Sequence, residues 1–149
     1  MKARTCSRVR QVRTNVGPIR GSVMRRDVGS RVLIADDDSS FCDVVAELLI
    51  TEGYSPHTVP TSDEALAALV AEEWAVMLLD TLGTRPGESF LAMLRAIAAA
   101  ARGTPVLLVT GWTENANSAE AKALVAGVLS KPFEVDALLD RVARLVRRP

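Results

Sequence analysis

Four apolar stretches of this chain end in residues whose side chains could do chemistry together. Val32-Leu33-Ile34-Ala35 ends in Asp36-Asp37-Asp38, and Val76-Met77-Leu78-Leu79 ends in Asp80. Val106-Leu107-Leu108-Val109 ends in Thr110-Gly111, and Val128-Leu129-Ser130 leads into Lys131-Pro132-Phe133. Carboxylates brought together from two strand ends repel one another until a cation arrives, and oxygen ligands with water suit Mg²⁺. A hydroxyl and an ammonium beside a metal suit a phosphoryl group, because the cations neutralise its charge and the hydroxyl donates a hydrogen bond. A carboxylate in such a place can itself be the nucleophile. Singly, each residue has an ordinary reading: an Asp caps the helix or turn that follows, a Thr ends a strand, a Lys is solvated. The recurrence at four strand ends is what points to a site.

The elements that must deliver these residues alternate. Arg31 to Ala35 reads as the first strand. Phe41, Val44, Val45, Leu48 and Leu49 then recur at helical spacing, with Asp38 or Ser39 as N-cap and Gly53 as the stop. Tyr54 to Thr58 reads as a short second strand, and Thr61-Ser62-Asp63-Glu64 has the form of a capping box opening a helix with Leu66, Leu69 and Val70 inward. Strand three ends at Asp80; Phe90, Leu94 and Ile97 mark a third helix that stops at Gly103. Thr104 to Thr110 is a fourth strand, with Pro105 near its start where a missing N–H is tolerated. Residues 114–126, with Ala119, Ala123 and Leu124, form a weaker fourth helix. Val128-Leu129 is a short fifth strand, and Val135, Leu138, Leu139, Val142 and Val146 stripe a last helix whose basic end suits its dipole. Five β-α units imply a single doubly wound α/β domain with a parallel sheet, right-handed crossovers and helices on both faces. In such sheets ligands bind outside the carboxyl ends of the strands, where the acids, Thr110 and Lys131 fall.

Composition bounds the rest. The 149 residues are 48% apolar, enough for one domain with a core. Zero net charge conceals an asymmetry: residues 1–30 carry eight Lys/Arg and a single acid, Asp27, while the remainder is acidic. The expectation is a basic, disordered tail over 1–30 and a domain over 31–149. Met24 offers an internal start that would leave a short lead-in to the first strand. No apolar run approaches the ~20 residues of a membrane span and the N-terminus lacks a signal-peptide core, so a cytoplasmic protein with no membrane partner is expected. Cys6 and Cys42 have no C-x-x-C spacing and His57 is a lone histidine, which indicates neither a disulfide framework, a zinc site nor a Ser/His/Asp arrangement.

With Asp36-Asp37, Asp80, Thr110-Gly111 and Lys131-Pro132-Phe133 in this order on five β-α units, the sequence resembles the receiver domain of two-component response regulators over residues 31 to about 148. The resemblance implies a flavodoxin-like fold with strand order 2-1-3-4-5 and five helices, the switch point lying between strands one and three. It implies that Asp80 accepts a phosphoryl group from a histidine kinase or phosphotransfer protein. Asp37 would bind Mg²⁺ directly, Asp36 through water, and the Leu82 backbone carbonyl would complete the protein's ligands. Thr110 and Lys131 would hold the phosphoryl oxygens, with small Gly111 leaving room, and Leu82 and Trp112 would flank the path of a hydrolytic water. Asp38 fits a cap of the first helix better than a metal ligand.

Two departures from the family pattern stand out. Pro86-Gly87 follow the acceptor by six and seven residues where the family usually has four and five, and Val128 occupies the family's aromatic switch position. Nothing follows Pro149, so the reading is a stand-alone receiver acting on an unknown downstream protein, a signalling element that catalyses its own phosphorylation and is not an enzyme in the ordinary sense. The alternative is an unphosphorylated receiver-like binding module. An aspartate-nucleophile phosphohydrolase would carry a D-x-D pair, but Leu82 stands two after Asp80. Direct nucleic-acid binding needs a recognition helix that this chain does not offer.

Overall fold

The computed structural model describes residues 30–80, 90–111 and 116–146. The elements run β1 (Arg31–Ala35), α1 (Ser39–Thr51), β2 (Ser55–Val59), α2 (Ser62–Ala71), β3 (Val76–Leu79), α3 (Phe90–Ala101), β4 (Val106–Thr110), α4 (Ala119–Leu124), β5 (Gly127–Ser130) and α5 (Val135–Val146). All strand pairs are parallel and the order is β2-β1-β3-β4-β5, the doubly wound, flavodoxin-like arrangement of five strands and five helices.

The three central strands are continuous apolar runs because both of their faces are covered. Alternation along each strand divides the core in two. Leu33, Ala35, Met77, Leu79, Val106 and Leu108 face α2, α3 and α4, packing on Ala65, Leu69, Phe90, Leu94, Ile97 and Ala121. Val32, Ile34, Val76, Leu78, Leu107 and Val109 face α1 and α5, packing on Cys42, Val45, Ala46, Leu49, Leu138 and Val142. Each large side chain so buried contributes about 1.5–3 kcal/mol.

Capping chemistry sets the helix ends. Asp38 is the N-cap of α1, its Oδ1 accepting from the Phe41 N–H at 3.1 Å. Thr61 caps α2 through the Glu64 N–H, and Ser118 caps α4 through the Ala121 N–H. Gly53, at φ 94°, ends α1: its N–H donates to the Ile50 carbonyl and that of Tyr54 to Leu49, the paired bonds of a Schellman turn. Tyr54 is thereby part of the helix end, so β2 runs Ser55–Val59 where the sequence suggests Tyr54 to Thr58. Similarly, the Thr104 N–H closes the turn after α3 on Ala101, and β4 begins at Val106.

Other expectations on the helices need correction. Val44 and Val70 are exposed, at 59% and 76%, because the small residues Cys42, Ala46 and Ala65 take the sheet-facing positions. Helix α4 covers six residues, not the span 114–126, and turns Ala121 inward while Ala119 and Ala123 are exposed. In α5, Leu138 and Val142 are buried as expected, but Val135, the first residue of the helix, is exposed. The basic tail, Met24 and the Pro86-Gly87 loop lie outside the described residues.

At the end of the sheet where the strands begin, an open groove of about 990 Å³ is lined by Trp74, Ala75, Thr104, Pro105, Leu145 and Val146 among others. Arg31 reaches across this end to an ion pair with Glu72, its guanidinium 4.2 Å from the Trp74 ring centroid. None of the chemistry-bearing residues is there.

Candidate functional site

The site residues are placed by the sheet's own ladder. The Asp36 N–H donates to the Val59 carbonyl at 3.1 Å, the Asp80 N–H to Ala35 at 3.0 Å, and the Lys131 N–H to Thr110 at 3.0 Å. Each of these residues is therefore the first beyond a strand, pinned to the last residue of its neighbour, so that their side chains meet at one edge.

Three carboxylates converge there: one oxygen from each of Asp36, Asp37 and Asp80 lies within 4.8 Å of the others. Their surroundings differ. Asp36 is 2% exposed, Asp37 is exposed and Asp80 is half-buried. Both oxygens of Asp36 are engaged, Oδ1 by the Asp38 N–H at 3.0 Å and Oδ2 by Lys131 Nζ at 3.1 Å. Lys131 Nζ also lies 3.9 Å from Asp80 Oδ1. Burial pushes the Asp36 carboxyl above its ordinary value; the Asp38 N–H and Lys131 pull it down, and the Asp80 charge pushes it further up.

The cluster suits a hard divalent cation. One oxygen from each of three carboxylates would offer such an ion the hard oxygen donors that Mg²⁺ takes together with water. Among the described residues Lys131 is the cation paired with these acids, and one ammonium does not balance three carboxylates.

Thr110 closes β4 at this edge and is 1% exposed. A Cβ built on Gly111 meets no heavy atom within 4 Å, so among the described residues the space at Gly111 is open. Val128 pairs with Leu108 in the sheet and packs half-buried on the core; its carbonyl accepts from Arg141 Nη2 at 3.2 Å. The structure thus brings Asp36, Asp37, Asp80, Thr110, Gly111 and Lys131 to one edge, while Val128 turns its side chain to the α2/α3/α4 side of the core and only its carbonyl meets α5. Leu82 and Trp112 lie outside the described residues. Asp38 caps α1, as its sequence context suggests.

Phe41 belongs to this site although its spacing reads as core. Its ring centroid is 4.0 Å from Lys131 Nζ, and it forms a T-shaped pair with Phe133, centroids 6.0 Å apart at 81°. The available sequence signal was an aromatic in the first turn after the acid run, which a helical stripe explains equally well.

Known proteins give the family. Residues 32–143 match the response regulator receiver domain. The response regulator protein PmrA of Pseudomonas aeruginosa is 36% identical over 121 residues, covering 79% of this chain and 53% of that protein. The transcriptional regulatory protein DltR of Streptococcus agalactiae is 28% identical over 119 residues, 79% of this chain and 52% of its own. This chain therefore spans about half the length of these relatives. Among solved structures, the response regulator protein TrrA from Thermotoga maritima in complex with Mg(2+)-BeF superimposes with a TM-score of 0.67 at 25% identity, over 78% of this chain and 98% of that one. The Francisella response regulator 1452 receiver domain gives 0.68 at 25% identity, over 80% and 98%. With four strand ends converging on one acidic edge and a family match spanning nearly all the described residues, this chain belongs to the response regulator receiver domain family.

Proposed function

We propose that this receiver takes a phosphoryl group onto Asp80 from a histidine kinase or phosphotransfer protein in a Mg²⁺-dependent reaction, and that the phosphorylated form binds a downstream protein differently. The observation that carries this reading is the juxtaposition of Asp36, Asp37 and Asp80 within 4.8 Å, with the Lys131 ammonium against two of them. The TrrA structure, which holds Mg²⁺ and a beryllium fluoride, supports the same chemistry here.

In this reading an Asp80 oxygen attacks phosphorus in line, a P–O bond to Asp80 forms, and the P–N bond of a phosphohistidine breaks; from acetyl phosphate a P–O bond breaks and acetate leaves. Bound Mg²⁺ supplies charge neutralisation at the phosphoryl oxygens. Asp37, exposed at the mouth, is the direct metal ligand. Asp36, with both oxygens already engaged by protein donors, acts through water and holds Lys131 at the acceptor. Lys131 and the Thr110 hydroxyl receive the phosphoryl oxygens, and the space at Gly111 accommodates them. The Leu82 carbonyl is the remaining proposed metal ligand.

The test is intact mass after incubation with acetyl phosphate and Mg²⁺. Wild type should gain one phosphoryl group, and Asp80→Asn should not. A wild type that stays unmodified in Mg²⁺ would make the domain a binding module instead.

A further inference from the structure

We infer that Phe41 is a positioning residue whose ring face holds the Lys131 ammonium at the mouth of the acidic cluster, within reach of both Asp36 and Asp80. The ammonium has three protons to place. One meets Asp36 Oδ2 at 3.1 Å, a formed charge-assisted bond, while the 3.9 Å to Asp80 Oδ1 is too long for one. The Phe41 ring, 4.0 Å away at its centroid, presents its negative face to the same ammonium.

The ring is itself held from two directions. Phe41 stands in the first turn of α1, where its N–H is bound by the Asp38 cap that also donates to Asp36 Oδ1. It also meets the Phe133 ring in a T-shaped contact, two residues beyond Lys131 on the segment leaving β5. The backbone that fixes Asp36 thus also fixes the ring, and the segment that carries Lys131 braces it.

A purely packing role for Phe41 fits less well. The fully buried inward positions of α1 are filled by Cys42, Val45, Ala46 and Leu49, whereas Phe41 packs only half-buried at the margin of this core with the Lys131 ammonium over its ring. Lysine's four-carbon stem is flexible and its ammonium a compact point charge, so without a second restraint the head group would leave Asp36 for water in many rotamers. The ring confines it to an arc between Asp36 and the acceptor.

The kinetic half of this inference rests on Asp80 being the phosphoacceptor; the geometric half does not. The experiment reads both. In metal-free protein without phosphodonor, the ε-methylene protons of Lys131 should show an upfield ring-current shift by NMR in wild type and in Phe41→Tyr, and lose it in Phe41→Leu. With acetyl phosphate and Mg²⁺, Phe41→Leu should be phosphorylated about two- to five-fold more slowly than wild type, the range expected of one partly exposed cation–π contact, and Phe41→Tyr should restore the rate. Phe41→Met replaces Phe41→Leu should the latter unfold. An unshifted Lys131 in wild type overturns the inference, as does a leucine variant phosphorylated as fast as wild type. If wild type takes no phosphoryl group at all, the proposed function fails, and the ring-current shift alone decides the contact.

Discussion

Neutralising Asp37 should stabilise the metal-free protein and destabilise it relative to wild type once Mg²⁺ is present. The cluster places one oxygen of Asp37 within 4.8 Å of oxygens on Asp36 and Asp80. Because Asp37 is exposed, a water-like dielectric applies, and each like-charge pair at that distance costs about 0.9 kcal/mol. Two such pairs are relieved by Asp37→Asn, while part of the gain is lost with the attraction to Lys131. A net stabilisation of about 1 kcal/mol remains, or about 3–5 °C in Tm for a domain of this size. Mg²⁺ at about one hundred times its Kd should stabilise wild type by about 2.7 kcal/mol, and should do so much less in a variant that lacks the proposed direct ligand. Urea melts at matched, low ionic strength, with EDTA or with Mg²⁺, measure both terms. An Asp37→Asn protein less stable than wild type in EDTA, or one that Mg²⁺ stabilises as strongly as wild type, would refute the reasoning.

Further outcomes are expected from other residues. The raised Asp36 pKa means that the folded state keeps this proton where the unfolded state has lost it, so the group's contribution is complete below the ordinary value of 3.8 and is lost as pH rises through the folded value. In EDTA, the stability of Asp36→Asn minus that of wild type should therefore grow from below that pH toward neutrality; a pH-independent difference in urea melts would contradict it. Leu138→Ala, at a fully buried position between α5 and the sheet, should cost about 2–5 kcal/mol in the same assay. A Cβ on Gly127 would lie 3.0 Å from Arg141 Nη1, the mobile end of a long side chain. Gly127→Ala should accordingly displace the guanidinium from the Val128 carbonyl at a cost below about 1 kcal/mol, visible as a shifted Arg141 side-chain NMR signal. Finally, in the proposed role of Leu82 and Trp112 as flanks of the water path, neither apolar side chain orients a hydrolytic water strongly, so phospho-Asp80 should decay faster in Leu82→Asn and Trp112→Glu once phosphodonor is removed, as followed by intact mass.

The sequence made the centre of this fold readable and its margins less so. Strands β1, β3 and β4 are buried on both faces and are therefore unbroken apolar runs, and the polar residue ending each run marks the sheet edge directly. Asp36, Asp80 and Thr110 were found for that reason. Helix faces were harder, because periodicity weighs large apolar residues: Val44 and Val70 draw attention while Cys42, Ala46 and Ala65, whose small side chains allow close approach, do the packing. The boundaries of β2 and β4 moved by one or two residues because neighbouring turns claim Tyr54 and Thr104 for their own hydrogen bonds. The partnership of Phe41 with Lys131 joins residues ninety positions apart, and Arg141 meets Val128 only because α5 folds back across β5. No local pattern encodes either meeting.

The groove where the strands begin has a practical meaning for handling this molecule. Ser30 enters β1 at that end, and Leu145 and Val146 at the close of α5 line the groove, so both ends of the described domain share one pole. Asp80 and its companions occupy the other, about 15 Å away along the strands. A fluorophore, an affinity tag or a surface linker joined at Ser30 or Val146 is thus anchored behind the sheet. Immobilised by that pole, the domain presents its acidic edge outward, which suits it to surface-based measurement of the proposed phosphotransfer.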